Sequence, residues 1–172
     1  MRPLVAVIGN GDAETERDRL AEQVGALIAR RGLGLVCGGL GGVMAAACRG
    51  ARDAGPTGPV VAVLPGTDRA DANPYADVVI PTGMGYARNL IVVLSADAVI
   101  AVGGASGTLS EMAHAWQLGK PICALVAVDG WAARLAGSTL DGKRSDAVYQ
   151  AQSIADVEAW LDALELGESK RP

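Results

Sequence analysis

The chain has 172 residues, half of them hydrophobic and a fifth charged, with a net charge of −4 and no phenylalanine. That length and composition suit one globular domain with a sizeable core and exclude a disordered chain. An acidic chain whose lysines are Lys120, Lys143 and Lys170 does not form a nucleic-acid groove, which needs clustered cations, although one cationic pocket for a small phosphate remains open to it.

In chain order, the first element is an apolar run at 4–8 (LVAVI), too short for a signal peptide and read as a strand ending at a Gly-rich turn. A helix is predicted over 13–31, with Asp12 as cap, Leu20, Val24, Leu27 and Ile28 as its apolar stripe, acids early and Arg30–Arg31 late, before Gly32 ends it. A second strand at 33–37 leads into a helix over 41–54. Strands at 60–64 and 77–80 flank a surface loop at 66–74. A helix over 84–95 runs into a strand at 97–102, followed by a helix over 106–119 and a strand at 122–126. Residues 129–147 read as irregular, and a last helix lies near 154–165.

Most of these strands are apolar throughout, as expected where helices cover both faces of a sheet. The β-α alternation predicts an α/β fold: a single Rossmann-like domain over 1–166 with a doubly wound, mostly parallel sheet and a frayed tail at 167–172. No apolar run reaches the ~20 residues of a membrane span. Cys37, Cys48 and Cys123 are odd in number, lack CxxC spacing and read as reduced core thiols, so a cytoplasmic protein is expected.

Ligands of such sheets gather where the strands end, and three turns there are chemically unusual. The first, GNGDAE (9–14), begins like a dinucleotide fingerprint, but Glu14 replaces the third glycine and no acid follows the second strand. This disfavours a standard NAD site and leaves Gly9 and Asn10 as nucleotide contacts. The second, GGLGGVM, sets Gly38, Gly39, Gly41 and Gly42 before a helix, either to present amides to an anion or to allow close helix–strand packing. It lacks GK[ST] and is not a P-loop.

The third turn, GGASGTLSE (103–111), is the most informative. Gly103 and Gly104 let backbone approach a ligand, and Ser106 and Thr108 add hydroxyls at a helix start. Glu111 follows about one turn later, as a helix-start acid or a carboxylate held beside a phosphorylated sugar. Arg88 sits near the start of its helix, against the dipole, and its fork suits a phosphate. His114 has no second ligand at metal spacing, so no metal site is predicted, and Lys120 occupies a connector unsuited to a Schiff base.

The segments CGGLGGVM, GMGYARN and SADAVIAVGGASGTLSEMAHAWQLGKPI together resemble the lonely-guy superfamily, also called "possible lysine decarboxylases". That group includes cytokinin-activating phosphoribohydrolases and molybdenum-cofactor carrier proteins, and the likeness is greatest to the short, carrier-like branch. The resemblance implies Arg88 and Glu111 as catalytic residues and Gly104, Gly107 and Thr108 as phosphate-binding ones. Gly103 stands where the family has Pro, Ala105 where it has Gly, Asn89 where it has Lys and Tyr86 where it has His. It implies one of two uses of the site. One is cleavage of a nucleoside 5′-monophosphate to free base and ribose 5-phosphate. The other is carriage or sensing, without turnover, of a nucleotide or a phosphorylated pterin such as molybdenum cofactor. No resident cofactor is implied. Family members are homodimers or larger, which points to helix 84–95 with Trp116 as a subunit surface, although helical spacing sets Trp116 with Leu109, Met112 and Ala113 on the buried face, as core or subunit interface.

Overall fold

A computed structural model describes residues 2–55 and 58–166; the predicted tail at 167–172 lies outside the described residues. Strands β1 (Leu4–Gly9), β2 (Gly34–Cys37), β3 (Val60–Leu64), β4 (Val78–Pro81), β5 (Ala98–Val102), β6 (Ile122–Leu125) and β7 (Tyr149–Ala151) form one sheet in the order β4-β3-β2-β1-β5-β6-β7. Every neighbouring pair runs parallel. Helices α1 (Thr15–Arg30), α2 (Gly42–Asp53) and α6 (Ile154–Ala163) pack on one face. Helices α3 (Arg88–Leu94), α4 (Ser106–Gln117) and α5 (Trp131–Leu135) pack on the other. The architecture is the doubly wound α/β fold.

Central strands are buried on both faces because aliphatic side chains alternate into two cores: Val5, Val7 and Ile100 into one, Ala6, Ile8 and Val99 into the other. With no phenylalanine and one buried tryptophan in each layer, Trp160 and Trp116, the aliphatic Ile8, Leu35, Ile100 and Leu125 carry most of the bulk, each burial contributing about 1.5–3 kcal/mol. Small residues bring the helices close. A Cβ on Gly25 of α1 would lie 1.9 Å from the Ala47 carbonyl oxygen of α2, so any side chain there forces these helices apart. Cys37, Cys48 and Cys123 are free and buried.

Four details differ from the sequence reading. Glu14, not Asp12, caps α1, its carboxylate accepting from the backbone amides of Glu16 and Arg17, both at 3.0 Å. Asp12 instead accepts from the Arg17 guanidinium at 3.1 Å. Second, the segment expected to open a helix at 84 begins as a tight 3-10 turn, Gly85–Ala87, with Gly83 and Gly85 at φ +66° and +54°; the edge strand β4 before it leaves Val78 and Ile80 partly in water. Third, the stretch read as irregular contains α5 and leads into β7, a short strand paired with β6. Fourth, Trp116 is no subunit surface: it is buried, its indole N–H donates to Asp141 at 2.9 Å, and the Arg144 guanidinium covers its ring. Among the described residues no helix is long and apolar enough to cross a membrane.

Candidate functional site

The chain builds outward from β1 to β4 on one side and from β5 to β7 on the other, so the sheet reverses direction between β1 and β5. Their ends are level, Gly9 lying beside Val102. The loops that follow part toward opposite faces and leave a crevice, the usual ligand position in such folds. Here the loops after β1, β2 and β5 and the start of α3 enclose a cleft of about 310 Å³, the size of a small-ligand site.

Arg88 and Glu111 face each other at its floor. Arg88 begins α3 and Glu111 lies in the second turn of α4, and both are more than nine-tenths buried. Arg88 Nη1 donates to Asn89 Oδ1 at 2.7 Å and to Glu111 Oε1 at 3.3 Å. Asn89 Nδ2 in turn donates to Ser110 Oγ at 2.9 Å, so the cation is tied to the first turns of α4. The Arg88 Nε–H is buried and has no hydrogen-bond partner among the described residues. Burial pushes the Glu111 carboxyl from 4.5 up to about 7, and the opposing pull of Arg88 is too weak to reverse it. Near neutral pH, therefore, Glu111 only partly compensates the guanidinium charge.

Glycine makes room for this cation. A Cβ on Gly38 would lie 2.3 Å from Arg88 Nη2 and 2.6 Å from Cζ, and the backbone there is not left-handed, so space rather than conformation demands glycine. Across the cleft, α4 starts at Ser106 with Ala105 as its cap residue and no side chain bonded to the free amides of the first turn. Ser106, Gly107 and Thr108 line the cleft at this point. An uncapped helix start, a partly compensated cation and an unpartnered N–H converge there, which is the donor set that holds an anion.

Of the residues singled out in the sequence, Gly9, Asn10, Gly38, Arg88, Ser106, Gly107, Thr108 and Glu111 line the cleft together. The remaining five glycines lie behind it. Gly39, at φ +77°, rests on Ala62 and Leu64 of β3; Gly41 and Gly42 press on the backbone of residues 10–12. Gly103 backs onto Arg17, and a Cβ on Gly104 would strike Thr108 at 2.5 Å. Two amides of these turns are already engaged: Gly104 N–H donates to Asn10 Oδ1 at 2.6 Å and Val43 N–H to Asn10 O at 3.0 Å. Asn10 thus stitches three loops together. Its turn is a brace as well as a wall.

The cleft also contains residues given no binding role in the sequence: Asp12, Leu40, Met44, Tyr86 and Asn89. Tyr86 and Asn89 stood out only as departures from the family pattern beside Arg88 in GMGYARN, and Asp12 as a helix cap. Leu40 and Met44 gave none, being indistinguishable from core residues in the sequence.

Known proteins share this chain's sequence pattern and architecture. The model of the SLOG cluster4 family matches residues 2–158. An uncharacterized protein of Archaeoglobus fulgidus is 49% identical over 121 residues, spanning 70% of this chain and 78% of its own length. Two solved structures, each matched over 95% of this chain and 98% of its own, are similar throughout. The molybdenum cofactor binding protein of Rippkaea orientalis has 33% identity and a TM-score of 0.83. The molybdenum cofactor carrier protein of Chlamydomonas reinhardtii has 32% identity and a TM-score of 0.80. The family match runs from before β1 to within α6, so it takes in the whole sheet and every loop of the cleft: the chain belongs to the SLOG cluster4 family.

Proposed function

We propose that the protein is a cytoplasmic carrier that binds a small phosphorylated ligand in this cleft, a phosphorylated pterin such as molybdenum cofactor or a nucleoside 5′-monophosphate. The observation that carries the reading is Arg88: buried under Gly38, with its Nε–H unpartnered, at the uncapped start of α4. A buried cation with an unmet donor is stabilised by an anionic ligand. The ligand's phosphate lies against the first turn of α4, with Ser106 and Thr108 adding hydroxyls. The names of the two similar structures support molybdenum cofactor as cargo. Homo-oligomers follow from the same kinship, with the outward face of α3, where Leu90 and Leu94 are exposed, as the contact surface.

Glu111 favours a second reading, N-glycoside hydrolysis. A carboxyl raised to about 7 can exchange protons near neutral pH and, once ionised, stabilise an oxocarbenium-like ribose or activate water. Mass spectrometry of the purified protein identifies any retained ligand; incubation with AMP then separates the readings. The carrier reading expects a retained phosphorylated heterocycle and no adenine release. Adenine and ribose 5-phosphate produced by the wild-type chain, and abolished in Glu111→Gln, establish hydrolysis instead. No binding of any phosphorylated ligand refutes both.

A further inference from the structure

We infer, building on the phosphate-binding reading above, that the cleft is a slot for a planar heterocycle and that Tyr86 supplies the face on which that ring stacks. The walls of the cleft differ in chemistry. Arg88, Glu111 and the start of α4 bring polar groups to it, beside Asn10, Asp12 and Asn89. Leu40 and Met44 enter from the α2 side, packed with the core on one face of the sheet. Tyr86 enters from the α3 side, above the opposite face. An aliphatic and thioether wall thus lies across the strand ends from a phenol, a pairing suited to a flat, electron-rich or electron-poor ring between them.

Tyr86 is presented rather than packed. It is 89% exposed, the most exposed large hydrophobic residue among the described residues, yet it lines the cleft two residues before Arg88. The backbone beneath it is fixed: Gly83 N–H donates to Gly66 O and Gly85 N–H to Pro65 O, both at 2.9 Å. The left-handed Gly83 and Gly85, both preceding Tyr86, shape that turn. A rigid base carrying one freely turning ring loses little entropy when the ring closes on a ligand, because only two side-chain torsions are fixed. Arg88 and α4 then hold the phosphate of the same molecule, and the ~310 Å³ of the cleft accommodates one ring system with one sugar-like linker. Asp12, whose carboxylate is held below the usual range by its own backbone amide and Arg17, is an ionised acceptor at the rim for amino or hydroxyl groups of that ligand.

The test compares GMP, whose guanine shares the 2-amino-4-oxopyrimidine ring of pterins, with ribose 5-phosphate, by calorimetric titration of the full chain. The wild-type protein is expected to bind GMP about tenfold or more tightly than ribose 5-phosphate, the difference being the stacked base. Tyr86→Ala is expected to remove most of that difference while leaving ribose 5-phosphate binding unchanged, and Tyr86→Trp to restore it, with circular dichroism confirming folded variants. Equal weakening of both ligands by Tyr86→Ala, or of neither, overturns the stacking role. So does a change in sedimentation with an unaltered affinity ratio, which assigns the ring to a subunit contact. If the wild-type chain binds ribose 5-phosphate and gains nothing from the base, the slot fails and the phosphate site stands; if it binds neither, the phosphate reading itself fails.

Discussion

Replacing Gly38 by alanine tests whether the cleft works through Arg88. The new Cβ would sit 2.3 Å from Nη2, 2.6 Å from Cζ and 2.7 Å from Nη1, roughly 1 Å inside ordinary van der Waals contact. The guanidinium must retreat, and it is held by Asn89 at 2.7 Å and Glu111 at 3.3 Å, so at least one of these bonds is lost or bent. Such overpacking costs about 1–3 kcal/mol, equivalent to roughly fivefold to hundredfold in ligand affinity when it falls on the group that grips the phosphate. The backbone at Gly38 accepts alanine without strain, so the fold should survive. Gly39→Ala is the control: at φ +77° and 2.8 Å from both Ala62 and Leu64, it strains the loop after β2 and lowers thermal stability. The assay is calorimetric titration with ribose 5-phosphate beside thermal melting. A folded Gly38→Ala protein that binds ribose 5-phosphate as tightly as wild type refutes the role of Arg88 in gripping the anion.

Two further outcomes follow from single groups. Because burial raises Glu111 from 4.5 to about 7, the folded chain retains a proton that the unfolded chain releases across that window. Stability therefore falls as pH rises through it, by roughly 3 kcal/mol in all; Glu111→Gln abolishes this loss, which urea titrations near pH 5 and near pH 8 measure. Asn10→Ala deprives Gly104 N–H of its acceptor at 2.6 Å, an orphaned donor costing about 1–3 kcal/mol; the melting temperature falls, and a variant as stable as wild type shows that the three loops are held without this brace.

The fold was legible because strand and helix periods alternate cleanly and each central strand is apolar on both faces. The elements that escaped were those whose stability is not local. β7 spans three residues and exists through its pairing with β6, while α5 is five residues folded against the loop after β5, its Trp131 and Ala132 amides donating to Gly104 O and Gly103 O. Asp12 and Glu14 are both plausible caps in a string of acids. The choice depends on Arg17, whose guanidinium claims Asp12 through both its carbonyl and its carboxylate. At the site, chemistry-bearing residues announced themselves but glycines did not sort themselves. Gly38 clears space for a cation, Gly39 supplies a left-handed turn, and Gly41 and Gly42 admit the neighbouring loop's backbone. Four glycines in seven residues thus serve three purposes that no spacing rule separates.

The two proposed readings ask different things of Arg88. Its guanidinium contacts Glu111 at 3.3 Å, and the start of α4, where the proposed phosphate lies, lines the same cleft. A phosphate gripped directly by Arg88 draws that charge away from Glu111 and adds a negative charge of its own, so the buried carboxyl keeps its proton and cannot support a cationic sugar. A phosphate held by the α4 amides and hydroxyls alone leaves Arg88 to Glu111, whose ionised form then faces the ligand's interior. Under the two proposed readings, carriage and hydrolysis thus differ in which group holds the phosphate, and Gly38 behind Arg88 and Asn89 beside it fix where the guanidinium lies.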